Sequence, residues 1–151
     1  MRLRPIGWIE TPFRTLQDCP RNGRQLDPAP ECCAVVAGPF HQGLLGLDGF
    51  SHLILLYWLG PQPDALSIVP PFDGQARGVF ATRAPVRPNP VGLSVVAFGG
   101  MAAPGRLRVR NLDCMDGTPL LDIKPYLPST DAEPGAAMGW LTPHRTPRPP
   151  A

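Results

Sequence analysis

Gly78-Val-Phe-Ala-Thr-Arg-Ala-Pro-Val-Arg-Pro-Asn-Pro-Val-Gly-Leu-Ser94 is the stretch on which the reading of this chain turns. Pro85, Pro88 and Pro90 crowd into its middle. Each ring fixes its own φ and pushes the preceding residue toward extended geometry, so the stretch cannot be helical. It is a stiff path that sets the directions of Arg83, Arg87 and Asn89. The apolar runs on either side make Gly78–Thr82 and Val91–Met101 core strands. A rigid polar loop between core strands is a natural place for a binding site. An arginine-bearing surface turn is the plain alternative.

Working outward, Arg106-Leu-Arg-Val-Arg110 alternates with period two, a strand with Leu107 and Val109 facing inward. Asp116-Gly117 is a hairpin dipeptide, and Leu120–Ile123 reads as the return strand, ended by Pro125. Toward the N-terminus, His52–Leu59 is a continuous apolar strand and Leu66–Val69 a short one. Gly43–Gly49 is a turn or a single 3₁₀ turn, and Cys32–Ala37 is a strand. Residues 14–31 form an irregular loop, and residues 3–10 form a first strand closed by Pro12. Regularly spaced short strands predict a mainly β protein, a small antiparallel β-barrel with few short helices. Residues 3–131 are expected to be that domain. Residues 132–151 read as a C-terminal extension whose end, Thr142–Ala151, is a disordered tail.

The composition agrees. Of 151 residues, 22 are proline and 16 glycine, which loops and turns must absorb. The net charge of +2 is a weak signal for nucleic acid. The basic residues are arginines except for Lys124. Arginine suits planar contacts to phosphate and carboxylate, although a GC-rich genome produces the same bias. Cys19, Cys32, Cys33 and Cys114 have no zinc spacing and read as reduced, packed thiols, and no metal site is expected. The N-terminus has no apolar signal core, and Leu53–Leu59 is too short to span a bilayer, so a cytoplasmic protein with no membrane partner is expected. The glycine-rich strand-to-helix cradle of dinucleotide sites is absent.

The opening stretch resembles the signature of the TsaA-like (YaeB/TrmO) family. Ile6–Phe13, Leu47–Leu53 and Leu112–Tyr126 match further segments of that family in order. The resemblance spans about residues 5–131. It implies an S-adenosylmethionine-dependent methyltransferase on a small β-barrel of the TsaA-like type. The implied reaction places a methyl group on N6 of threonylcarbamoyladenosine at position 37 of tRNA. The implied partners are tRNA and a second copy of the chain, with the cofactor near the subunit boundary.

The same resemblance nominates cofactor contacts. Pro20-Arg21-Asn22 matches a family Pro-Arg-Gln, with asparagine one methylene shorter than the family's glutamine. A competing alignment uses Arg24-Gln25. His52 and Leu53 match a contacting pair, although a histidine there also reads as a strand-end cap. Arg83, Leu93 and the turn Asp116-Gly117-Thr118-Pro119 complete the set. Arg87 and Asn89 are substrate-side or loop-ordering candidates. Asp113, Asp116 and Asp122 are the acids from which a general base would come, and the residues do not choose among them. Arg106, Arg108 and Arg110 share a strand face with a spacing of about 6.7 Å, near that of successive phosphates, or simply form an exposed strand face. A cofactor-binding module without catalysis is the alternative function. A thiol redox role for Cys32 and Cys33 is disfavoured because they are adjacent rather than in Cys-x-x-Cys spacing.

Overall fold

The computed structural model describes residues 1–145. Six strands close an antiparallel barrel in the order β1-β2-β7-β6-β3-β8. They are β1 (Gly7–Glu10), β2 (Cys32–Val36), β3 (His52–Trp58), β6 (Val91–Ala103), β7 (Arg106–Arg110) and β8 (Thr118–Pro125). The expectation of a mainly β barrel with few short helices holds. Outside the barrel, β4 (Ser67–Ile68) and β5 (Arg77–Gly78) form a separate two-stranded ribbon. The helical pieces are 3₁₀ helices at Gly38–Leu44, Val79–Ala81 and Gly139–His144, and the four-residue α1 (Pro128–Asp131).

The alternation of β3 builds the core. Leu53, Leu55 and Tyr57 point inward and are buried, while His52, Ile54, Leu56 and Trp58 face out. They meet Ile9, Ala34, Val96, Leu107, Val109 and Leu120 from the other staves. The Tyr57 ring lies so close to Gly92 that a Cβ there would overlap it.

β6 is the long stave. Its residues Val91–Ala97 pair with β3, and from Ala97 onward it pairs with β7 through two register shifts, one across Gly99-Gly100 and one between Met101 and Ala103. The half that precedes Ala97 therefore has a strand partner on one side only.

Four expectations are corrected. The first strand starts at Gly7, later than the expected residue 3. Gly78–Thr82 is no core strand: only Arg77–Gly78 is extended, and Val79–Ala81 turns as a 3₁₀ helix with Phe80 exposed. The cause is local, because the Thr82 N–H and hydroxyl both donate to the Val79 carbonyl, at 3.1 and 2.9 Å, and curl the chain. Asp116-Gly117 is no hairpin between β7 and β8, which do not pair: β7 lies between β2 and β6, and β8 between β1 and β3. Residues 111–117 instead cross the barrel end, and the N–H groups of Asp116 and Gly117 donate to the carbonyls of Phe13 and Ile9, both at 2.8 Å. Finally, Thr142–His144 belongs to an ordered 3₁₀ helix rather than a tail. Residues 146–151, with Arg148, lie outside the described residues.

Candidate functional site

The proline-braced loop is held from within and from behind. One Nη of Arg87 donates to the carbonyls of Val79 (2.7 Å) and Thr82 (2.9 Å). These two bonds order the loop around Arg87. Trp140 donates its Nε1–H to the Ala81 carbonyl at 2.8 Å. Its ring packs edge-on to Phe72 and beneath the Arg77 guanidinium, 4.9 Å from the centroid. Sequence reading missed this clasp, because residues 132–145 show no periodicity and Trp140 carries no local signal.

Arg83 is exposed and reaches the unpartnered side of β6, where one Nη donates to the Leu93 carbonyl at 3.1 Å. That contact shows that the Leu93 carbonyl points away from β3, as alternate residues of an antiparallel strand must. The Leu93 side chain stands on the outer wall, 45% exposed, opposite Leu56. Asn89 is exposed, and its side-chain amide has no hydrogen-bond partner among the described residues.

At the other end of β3, His52 Nδ1 shares a 2.9 Å hydrogen bond with the Ser51 hydroxyl, and its ring meets Tyr126 edge-on. Nε2 is left as its outward polar atom. The Leu53 side chain is wholly inside the barrel, which leaves the main chain of this residue for any contact.

The N-terminal loop docks on the barrel end through Gly23, where a Cβ would collide with the Asn111 carbonyl. Only glycine allows that approach. Just before it, Arg21 and Asn22 are exposed on a small turn. The Asn22 side-chain oxygen accepts the Arg24 N–H at 3.0 Å, and Gln25 Oε1 accepts the Arg21 N–H at 2.5 Å. Gln25, the competing alignment's amide, is thereby turned onto its own loop. Next to it, Asp116 accepts the Thr11 N–H at 3.0 Å and pairs with Arg14, while the Thr118 hydroxyl donates to the Met115 carbonyl at 2.7 Å.

The three candidate acids are all engaged. Asp113 accepts the Tyr57 phenol at 2.8 Å, and that phenol also shares a 2.8 Å hydrogen bond with Ser94. Burial, reinforced by the Asp113 charge, pushes the Tyr57 phenol above its usual range. Asp116 is held as described, and Asp122 pairs with Lys124 at 2.7 Å. The arginine row is engaged too. Arg106 pairs with Glu10 at 2.5 Å, Arg108 Nε donates to the Gly99 carbonyl, and Arg110 meets Ala29 and Glu31. The Arg106 guanidinium holds the Glu10 carboxyl below its ordinary value. Burial pushes the Cys32 thiol up to about 11 and Cys114 up to about 12, and raises Cys19 and Cys33, which disfavours the thiolate.

The nominated residues do not line one cavity. Asp116 and Gly117 border an open cleft of about 690 Å³ with Trp8, Arg14, Arg106 and Arg108. Asn89 and Pro119 share a smaller cavity of about 380 Å³ with Trp58 and Leu121. Arg83 and Leu93 sit on the β6 lip, and His52 at the far end of β3.

A family model described as tRNA-methyltransferase O N-terminal domain matches residues 8–132. An S-adenosyl-L-methionine-binding protein of Archaeoglobus fulgidus is 43% identical over 132 residues, 87% of this chain and 93% of that protein. A longer relative from the same organism, 42% identical, is spanned over only 38% of its length. The crystal structure of TrmO from Pseudomonas aeruginosa superposes with a TM-score of 0.74 at 36% identity, over 93% of this chain and 62% of that one. No helix among the described residues is long and apolar enough to cross a membrane.

Proposed function

Because the chain belongs to the family of tRNA-methyltransferase O N-terminal domains, we propose that it binds S-adenosylmethionine and methylates N6 of threonylcarbamoyladenosine at position 37 of tRNA. The observation that carries this reading is the family match across residues 8–132, which contains every nominated contact. The cytoplasm, where tRNA is modified, is the proposed compartment.

The donor set suits the cofactor. Arg83 spends one N–H on Leu93 and keeps others for a carboxylate. Leu93 offers an exposed apolar surface beside a strand edge rich in carbonyls. His52 presents Nε2, Leu53 its main chain, and Pro20-Arg21-Asn22 an exposed guanidinium and amide. The turn Asp116-Gly117-Thr118-Pro119 closes over the ligand. These groups lie on separate surfaces of one barrel, which favours a site completed by a second copy of the chain. The outer wall of Ile54, Leu56, Val91, Leu93 and Val95 is the apolar face on which that copy packs.

When bound, S-adenosylmethionine supplies a methyl group already activated on a sulfonium. The task left to the chain is alignment and exclusion of water, worth on the order of 7–11 kcal/mol in favourable geometry. Each of Asp113, Asp116 and Asp122 is already hydrogen-bonded or ion-paired, which favours positioning over strong base catalysis. Arg87 and Trp140 act behind the site by fixing the loop that carries Arg83 and Asn89.

Mass spectrometry of nucleosides from tRNA incubated with the protein and labelled methyl donor tests the proposal. Label on N6-threonylcarbamoyladenosine is the expected result. A second reading, a binding module without catalysis, is favoured by one observation: a 43% identical relative is named only for binding S-adenosyl-L-methionine. Cofactor binding by calorimetry without label in tRNA selects that reading, and absence of both rejects the two together.

A further inference from the structure

The cavity of about 380 Å³ between β3, β8 and the end of the proline-braced loop has an unspent recognition surface. Its walls are the Trp58 indole, Leu121 and Pro119, with Leu3 and Pro5 of the N-terminal segment opposite and the Asn89 side chain at its edge. Neither the Asn89 amide nor the Trp58 Nε1–H has a hydrogen-bond partner among the described residues. Everywhere else on the loop, polar groups are engaged: Arg83, Arg87 and the Thr82 hydroxyl all bond to main-chain carbonyls. A flat aromatic face, apolar walls and one amide offering a donor beside an acceptor are what a purine base requires. The volume lies within the range of small-molecule sites, about 300–1,000 Å³.

The position singles out which purine. Trp58 pairs with Val91, and Leu56 pairs with Leu93, on the same outward face of the β3–β6 wall. The cavity and the nominated cofactor contact Leu93 are therefore one outward step apart along the strands, about 6.7 Å. Of the nominated cofactor contacts, only Pro119 lines the cavity. The other reactant has to sit beside the cofactor without overlapping it, and this is the neighbouring recess.

We propose that this cavity receives the target adenine of the nucleic-acid substrate, unstacked from its neighbours, with Trp58 stacking on the base and Asn89 reading its edge. The proposal rests on the methyltransferase reading above. It deepens that reading by giving the base its own subsite, and by assigning Trp58, which sequence reading left in an apolar strand.

The test uses the full chain with Asn89→Asp, Trp58→Ala and Trp58→Phe, each checked for folding by circular dichroism. Asn89→Asp is isosteric and on an exposed loop, so it stays informative if Trp58→Ala misfolds. Base–aromatic stacking predicts a loss of about 5- to 150-fold in kcat/KM for tRNA in Trp58→Ala, carried mainly by KM, with a smaller loss in Trp58→Phe. Asn89→Asp removes the donor and is expected to lose at least about tenfold, with S-adenosylhomocysteine affinity by calorimetry unchanged in all three. Independently, N6-threonylcarbamoyladenosine nucleoside is expected to quench the wild-type tryptophan emission saturably, with the quench gone in Trp58→Phe. Full turnover in Asn89→Asp and Trp58→Ala overturns the proposal. So does a fall in S-adenosylhomocysteine affinity, which assigns the cavity to the cofactor's own adenine, and so does absence of quenching. A wild-type protein that transfers no methyl group refutes the function proposed above, while the nucleoside titration still decides the cavity.

Discussion

Replacing Tyr57 with phenylalanine removes one hydroxyl from the barrel and nothing else. That hydroxyl donates to Asp113 and shares a hydrogen bond with Ser94, both at 2.8 Å, in a side chain only 2% exposed. A hydrogen bond to a charged group contributes about 1.5–3 kcal/mol, and one to a neutral hydroxyl about 0.5–1.5. Some is recovered, because Asp113 is only half-buried and takes up water in the variant. The expected loss is about 2–4 kcal/mol, or roughly 4–16 °C in melting temperature for a chain of this size. Urea denaturation followed by circular dichroism measures it directly. Ser94→Ala leaves the Tyr57–Asp113 bond in place and is expected to cost only about 1 kcal/mol. Combined with Tyr57→Phe it should cost less than the sum, because the two share one bond. The pH dependence gives a second handle. The folded phenol resists ionisation while an unfolded tyrosine ionises near pH 10. The contribution of Tyr57 to wild-type stability is therefore intact below about pH 10 and falls above it, and that part of the decline disappears in the phenylalanine variant. A change below about 0.5 kcal/mol, or strictly additive costs in the double variant, refutes the account of the barrel end as a coupled network.

Other expectations are as specific. Gly23→Ala places a Cβ against the Asn111 carbonyl and pushes the loop of Pro20-Arg21-Asn22 off the barrel end. S-adenosylhomocysteine affinity is expected to fall about tenfold by calorimetry, at a strain of roughly 1–3 kcal/mol; unchanged affinity removes that loop from the site. Trp140→Phe keeps the packing on Phe72 but loses the donor to Ala81, so amide hydrogen exchange is expected to accelerate in residues 79–87 and not in β3. Identical exchange in both proteins shows that the clasp does not hold the loop. Cys32 and Cys114 are expected to resist Ellman's reagent at pH 8 until the protein unfolds. Their folded thiols stay protonated past pH 9 while unfolded ones ionise, so stability declines as the pH climbs from about 9 toward 12, and Cys114→Ala is expected to flatten that decline.

Much of the barrel was legible because its signals are local. Alternation in Arg106–Arg110, the apolar run from Leu53 and the turn residues each mark a stave without reference to the rest of the chain. Pairing is not local, and there the reading failed. Asp116-Gly117 has the right residues for a hairpin, but β8 pairs with β1 and β3, so the dipeptide docks on Ile9 and Phe13 instead. Val79-Phe80-Ala81 is apolar enough for a strand, yet hydrogen bonds to a single carbonyl curl it into a 3₁₀ turn. At the site, motif matching nominates residues by type and cannot tell side chain from main chain: Leu53 keeps its side chain in the core and has only its backbone to offer. What Trp58 and Trp140 do depends on contacts with distant segments, which a local pattern does not carry.

Along Val91–Val96, β6 has β3 on one flank and no strand on the other, so this half forms a lip rather than a full stave. Segments held on one side open at a lower free-energy cost than those held on two. Warming therefore loosens the lip bearing Leu93, with Arg83 against it, before the barrel itself gives way. On the proposed cofactor site, recognition is expected to fail at a lower temperature than the barrel melts, and S-adenosylmethionine bound there is expected to narrow the gap by stitching the lip shut.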